Sequence, residues 1–324
     1  MSFVHLHVHT HYSLLDGFSN IKKLVKRAKE LGMPAVAISD HGTMYGVVEF
    51  YNAAKSAGVK PIIGLEGYLA PRGMKDKDAQ FDKRAFHLLL LAENDTGYRN
   101  LLQIASVSQL EGFYYHPRVD KQFLESHSEG IIATSACMKG EVPNTILERG
   151  VETAQPLLDW YYEVFGRERF FLELQRHDIP ELEQLNHQLV ELGKRYNARF
   201  VATNDVHYVD RADAKLQDIL LAIQTGAVLS DPNRMRMQGD TYYFRTTEEM
   251  SALFSDVPEA ITNTLEIAER CNVNLDPNGY HLPLFEVPED FTPETYLREL
   301  CEEGLKARYH DRADDPEVRK RLEY

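Results

Sequence analysis

Four histidines fall at alternate positions in "FVHLHVHTHYSLLDG" (residues 3–17): His5, His7, His9 and His11. On a strand, alternate side chains share a face. Neutral imidazoles bind zinc and related ions. An i, i+2 pair can reach one ion together. All four cannot, because six residues of strand span roughly 20 Å. The same chemistry recurs along the chain. "SDHG" supplies Asp40 and His41, "PIIGLEGY" supplies Glu66, "SACMKGE" supplies Cys137, and "NDVH" supplies Asp205 and His207. Asp16 follows the first histidines, and His87 stands near the start of "FHLLLLA". Glu173, His177 and Asp178 complete the candidates.

Most of these residues lie at the ends of apolar, strand-like runs. Such runs cover 3–9, 35–39, 61–68, 86–92, 130–135, 169–174 and 199–204. Helical patterns fill much of the intervening chain. The clearest is 20–32, with Ser19 as the expected N-cap and Gly32 at its end. Others are expected at 180–197, 211–224, 257–271 and 292–310, the last capped by Thr292. Seven apolar strands alternating with helices predict a parallel α/β sheet, either a closed barrel or doubly wound. Ligands bind such sheets at the carboxyl ends of the strands. No G-x-G-x-x-G follows the first strand and no P-loop occurs, so the usual nucleotide-binding versions are excluded.

Taken singly, each residue has an ordinary explanation. A lone H-x-H is weak, "SDHG" reads as a capped turn, and Cys137 reads as a small buried apolar residue. Their common position at one end of successive strands is what favours metal. His, Asp, Glu and Cys together suit zinc, manganese or iron, and their number exceeds one tetrahedral site. A cluster of two or three divalent ions is expected, with magnesium a further candidate. Such clusters hydrolyse phosphate esters, lowering the pKa of a water and neutralising phosphate oxygens. His116, His127, His187, His281 and His310 lack this placement and are assigned to surface or packing roles.

The chain has 324 residues and a net charge of −14, so any contact with nucleic acid must be local or helped by cations. Three cysteines, Cys137, Cys271 and Cys301, fit no zinc knuckle and suit a reducing compartment. No signal-peptide pattern and no long apolar run occur, so a cytoplasmic protein without a membrane partner is expected. The closing run "DDPEVRKRLEY" stops in mid-pattern, as in a piece of a longer polypeptide.

The segments "HLHVHTHYSLLDG", "AISDHGTMYGVVEFY", "KPIIGLEGY", "HLLLLAENDTGYRNL", "SACMKGEVP" and "VATNDVHYV" together resemble the PHP (polymerase and histidinol phosphatase) family. They are most similar to the branch found at the N-terminus of bacterial replicative DNA polymerase III alpha subunits. That resemblance implies a distorted, TIM-like (β/α)7 barrel with up to three metals at its carboxyl-end mouth, followed here by a helical C-terminal extension. It implies nine ligands. His7, His9, Glu66 and Asp205 would hold one ion; Glu66, His87 and Cys137 a second; Asp16, His41 and His207 a third. His5 and His11 are outside that set. The implied activity is phosphodiester hydrolysis by a 3′–5′ proofreading exonuclease at a DNA primer 3′ end, with His9, Glu66, Asp205 and His207 catalytic. The implied partners are DNA, the rest of the polymerase chain and replisome subunits. Residues 1–271 would form the PHP domain, and 272–324 the start of a connection into a polymerase palm. A small-molecule phosphomonoesterase and a non-catalytic, metal-stabilised scaffold are the competing readings. Arg72, Arg118, Arg176 and Arg234 are candidates for substrate contact, which the sequence does not rank.

Overall fold

The computed structural model describes residues 2–276, 279 and 283–323. His281 lies outside them. The chain divides into two compact units, Met1–Leu275 and Asp276–Tyr324.

The larger unit is built on seven strands: β1 (Ala35–Ile38), β2 (Lys60–Leu69), β3 (Phe86–Ala92), β4 (Arg118–Val119), β5 (Ile131–Thr134), β6 (Phe170–Gln175) and β7 (Arg199–Thr203). They pair in the order β1-β2-β3-β5-β6-β7, with β4 added beside β2. The expected barrel-type α/β fold is present, with two departures from the expected strands. First, β3 runs antiparallel to both neighbours. No helix separates β2 from β3, so the chain returns directly rather than crossing over. Second, residues 3–9 are not a regular strand. They form an extended segment bonded to both edges of the sheet. Ala37 N donates to His5 O at 3.0 Å, while His9 N donates to Val206 O at 2.7 Å and Val206 N to His7 O at 3.0 Å. The segment thereby joins β1 to the end of β7, and the short β4 makes up the strand count.

Side-chain alternation sorts the strands into two faces. Ala35, Ala37, Ile62, Leu89, Leu91, Ile132, Phe171 and Val201 form the smaller apolar cluster, inside the curl. Ile267, Ala268 and Cys271, from the end of helix Pro258–Arg270, pack into the same cluster. The intervening residues face the surrounding helices in the larger cluster. Continuing the inward parity along each strand gives His41, Glu66, Tyr68, His87, Thr134, Glu173, Gln175, Thr203 and Asp205. The interior is therefore apolar at one end and titratable at the other. The reversal of β3 explains why His87 stands near a strand's start. Its amino end lies among the carboxyl ends of its neighbours.

The helices largely match expectation. Ile21–Glu30 is capped by the Asn20 side chain, which accepts from Lys23 N at 3.2 Å; the neighbouring Ser19, expected as cap, is buried instead. Pro180–Tyr196 and Pro258–Arg270 both carry proline in the first turn. In the smaller unit, Thr292 caps Pro293–Tyr309 in a reciprocal box with Thr295, and Pro316–Leu322 follows. Among the described residues, no helix is long and apolar enough to cross a membrane.

The four arginines named as substrate contacts are engaged internally. Arg118 is fully buried and donates to the carbonyls of Gly112, Met74, Asp76 and Asp82. Arg72 pairs with Asp82, Arg176 with Asp256, and Arg234 with Asp218.

Candidate metal centre

Glu66 sits at the middle of the titratable end. Its Oε1 lies 3.2 Å from His7 Nε2 and 2.9 Å from His87 Nδ1. Its Oε2 lies 2.6 Å from His41 Nδ1 and 3.5 Å from His9 Nε2. Four imidazoles thus meet one carboxylate. Asp205 Oδ1 lies 3.1 Å from His9 Nε2 and 3.4 Å from His7 Nε2. Asp16 Oδ2 lies 3.1 Å from His41 Nε2 and 3.7 Å from His207 Nε2. Cys137 Sγ approaches His87 Nδ1 at 3.6 Å. All nine residues named as ligands are connected through these contacts.

Local backbone geometry delivers several of them. Gly42 after His41 has φ +59°, and a Cβ there would meet Pro117 at 2.5 Å. Glycine therefore suits both the turn and the packing. Asp205 itself holds φ 46° and Ala136, before Cys137, φ 57°. Both are unusual for residues with a side chain and mark sharp exits from β7 and β5.

An outer layer sets the imidazole orientations. His7 Nδ1 donates to Glu173 Oε1 at 2.7 Å, leaving Nε2 toward Glu66 and Asp205. Glu173 also accepts from Thr203, Thr134 and Gln175. His9 Nδ1 lies 3.2 Å from Ser13 Oγ, whose own proton goes to Asp40 at 2.7 Å. His207 Nδ1 donates to the Asp205 backbone carbonyl at 2.7 Å. Glu173 and Asp40, candidates for direct binding from sequence, thus orient ligand-type histidines instead. Such outer partners fix tautomer and ring direction in metal sites. Glu173→Gln is expected to lower metal affinity about 10–100-fold while the chain stays folded. Competition against a chromophoric chelator reads this directly; unchanged affinity would remove Glu173 from that role.

The electrostatics are those of an anionic cluster. Burial disfavours charge on Glu66, Asp205 and Asp16, yet neighbouring histidines hold all three below the ordinary carboxylate range. Burial likewise opposes charge on His7, His41 and His207, but the carboxylates prevail. His41 is raised to about 10 by Glu66 and Asp16, and His7 and His207 are raised too. His9 is held down to about 3 by burial and by His41 and His207. Burial raises the Cys137 thiol well above its usual value. The carboxylates therefore require positive charge, carried either by imidazolium protons or by cations.

The residues fit metal ions. His7 Nε2, His9 Nε2, His41 Nδ1 and Glu66 Oε2 are sealed from solvent and have no well-formed hydrogen bond. Buried polar atoms are rarely left so. Three overlapping groups hold ligand atoms within 4.8 Å of one another: His9, His41 and His207; His7, His9 and Glu66; His41, Glu66 and His87.

Other candidates lie outside this network of contacts, although His177 lines the same cavity as Asp16, His41, His87, Cys137, Asp205 and His207. His5 Nε2 donates to Arg245 O at 2.9 Å between Phe3 and Phe244, and burial lowers it to about 4. His11 is exposed. His177 bonds Thr241 Oγ1 at 2.8 Å and stacks on Tyr242. His116, assigned to surface or packing, is exposed and stacks on Tyr68 at the mouth, 4.6 Å between ring centres. The aromatic run "GFYYH" was the signal that could have found it.

A curled α/β sheet with a buried mouth of histidines and carboxylates defines a TIM-like barrel with a metal-type donor set. The PHP domain profile matches residues 5–177, and the chain belongs to that family. It is 46% identical over 311 residues to the DNA polymerase III subunit alpha of Borreliella burgdorferi, covering 95% of this chain and 27% of that protein. Against the Thermus aquaticus DNA polymerase III subunit alpha, identity is 44% over 322 residues, with 96% and 26% covered. The chain thus spans about a quarter of the length of these relatives. Among solved structures, an amidohydrolase from Chromobacterium violaceum with bound sulfate and no metal aligns with TM-score 0.42 and 14% identity, covering 64% of this chain and 88% of that one.

Proposed function

We propose that the chain is the PHP portion of a replicative DNA polymerase III alpha subunit and hydrolyses phosphodiesters at DNA 3′ ends as a proofreading exonuclease. The observation that carries this reading is Glu66. Its buried carboxylate is met by four imidazoles, three of which engage another partner through the nitrogen turned away from it: His7 with Glu173, His9 with Ser13 and His41 with Asp16. The nine residues His7, His9, Asp16, His41, Glu66, His87, Cys137, Asp205 and His207 would hold two or three divalent ions. When bound, such ions activate water and neutralise phosphate charge.

The chain's own residues prepare that chemistry. Glu173 keeps the proton of His7 on Nδ1, and the Asp205 carbonyl keeps that of His207 on Nδ1. Glu66, Asp16 and Asp205 stay anionic, so the mouth attracts cations despite its burial. With cations held there, an acidic protein would be acceptable to a phosphate. Within that ligand set, His9, Glu66, Asp205 and His207 would be the catalytic residues. Residues 1–271 would carry this activity, and 272–324 would lead toward a polymerase palm. DNA and replisome subunits would be the partners, in the cytoplasm.

The test uses a 5′-labelled primer–template with a 3′ mismatch, incubated with manganese or zinc. The unaltered chain should shorten the primer stepwise, whereas Asp205→Asn and His9→Ala should not. Shortening that survives both substitutions sinks the proposal.

A further inference from the structure

Rings step outward from the metal centre to the surface. His41 stacks on His9 at 4.0 Å between centres. Tyr68 lies 6.0 Å from His41 and 23° from parallel, and His116 lies 4.6 Å from Tyr68 at the same angle. The last imidazole is exposed. Beside it, Tyr115 is 55% exposed and Phe113 52%. Large aromatic faces in water need a reason when they cluster. This cluster is also held firmly. Arg118 lies over Tyr114 at 5.2 Å while its guanidinium binds the carbonyls beneath, and Tyr114 N donates to His116 O at 3.0 Å.

Cations stand at the same rim. Lys83 lies over the Tyr115 ring at 5.4 Å. Lys83 and Lys139 are both exposed and line one cleft of ≈ 980 Å³ with His41, Tyr68, His87 and His116. Among the described residues, neither lysine has a carboxylate within ion-pair distance, although the chain carries 50 acidic residues against 36 basic ones. By contrast, the adjacent Arg84 is paired with Glu148.

Exposed rings interleaved with free ammonium groups suit unpaired nucleotides. Bases stack on the rings whatever their identity, and the phosphates between them meet the lysines. A duplex hides its base faces and cannot use such a surface. We propose that Tyr115 and His116, with Lys83 and Lys139, form a stacking rim that grips the unpaired nucleotides leading to the 3′ end at the metal centre. This rests on the hydrolytic reading above and narrows it. The substrate is a frayed or single-stranded end, and a paired end must melt first.

The test measures binding of an oligodeoxynucleotide carrying 2-aminopurine near its 3′ end, by anisotropy and by fluorescence quenching, with the 324-residue chain. Single-stranded probe should bind more tightly than blunt duplex and be quenched. Tyr115→Ala/His116→Ala should weaken binding about 10-fold or more and abolish quenching, and Tyr115→Phe/His116→Phe should restore both. Lys83→Ala/Lys139→Ala should retain quenching at saturation and reduce the salt slope by about 0.7 per lysine. Equal affinity for duplex, or an alanine pair that binds and quenches like the unaltered chain, overturns the rim. Binding is read without turnover. Loss of binding in the alanine pair therefore supports the rim even if no metal yields hydrolysis, which would sink only the exonuclease reading.

Discussion

Glu66→Gln is expected to lower metal affinity by more than about 100-fold and to abolish hydrolysis. Loss of an outer partner costs about 10–100-fold, and Glu66 touches the imidazoles directly. The amide keeps the size of the side chain but changes its chemistry. One oxygen becomes an N–H donor, facing nitrogens that now point lone pairs or shared protons at Glu66. A neutral amide also removes the counter-charge that keeps His41 and His7 protonated in the ion-free protein. Metal content after gel filtration and primer shortening read the two effects together. A variant that keeps its full metal complement would show that Glu66 is not the hub of the site.

The ion-free protein should lose stability as pH rises from about 7 to about 10, and divalent ions should flatten that dependence. His41 titrates near 10 in the fold against an ordinary value of 6.5. Between those values the folded state holds a proton that the unfolded chain has lost. The stabilisation is therefore complete below the ordinary value and disappears as pH climbs through the folded one. His7 and His207 shift in the same direction. The carboxylates act oppositely. Glu66, Asp205 and Asp16 are lowered, so their contribution is present above the ordinary carboxylate range and fades on acidification. Bound cations would replace the imidazolium protons, so loading at neutral pH should release protons. Melting of chelator-treated protein at pH 7 and pH 9.5 should differ by several degrees, since each kcal/mol shifts Tm by about 2–4 °C in domains of roughly 200 residues. Calorimetry in two buffers of different ionisation enthalpy counts the protons. Equal melting at both pH values, with no proton release, would overturn this account.

Much of the site can be read from the residues because its ligand-type side chains keep strand parity. "HVH", "SDHG" and "NDVH" end in polar residues where apolar runs stop, and alternation places them on the inner face. Strand direction is different. "FHLLLLA" alternates identically in either sense, so nothing local shows that β3 is reversed or why His87 begins it. The irregular path of residues 3–9 is likewise set by two distant partners, β1 and Val206, and not by local propensity. Glu173 and Asp40 have the chemistry of ligands; only distance shows them one layer out. The arginines are spoken for by carboxylates and carbonyls across the fold, which composition does not reveal. Ser19 and Asn20 are both competent caps, so a one-residue choice between them rests on burial.

The extended N-terminal segment also constrains the order of events during synthesis. It is made before either partner, and its hydrogen bonds go to Ala37 on one side and to Val206 on the other. His7 reaches its orienting carboxylate across 166 positions of chain. Contacts of such separation form late, after the closure entropy of the intervening loop has been overcome. These residues must therefore wait, without their partners, until β7 and the "NDVH" turn have followed them. A cation captured before then meets only fragments of its binding site, and the complete donor set exists only once the two ends of the sheet have met.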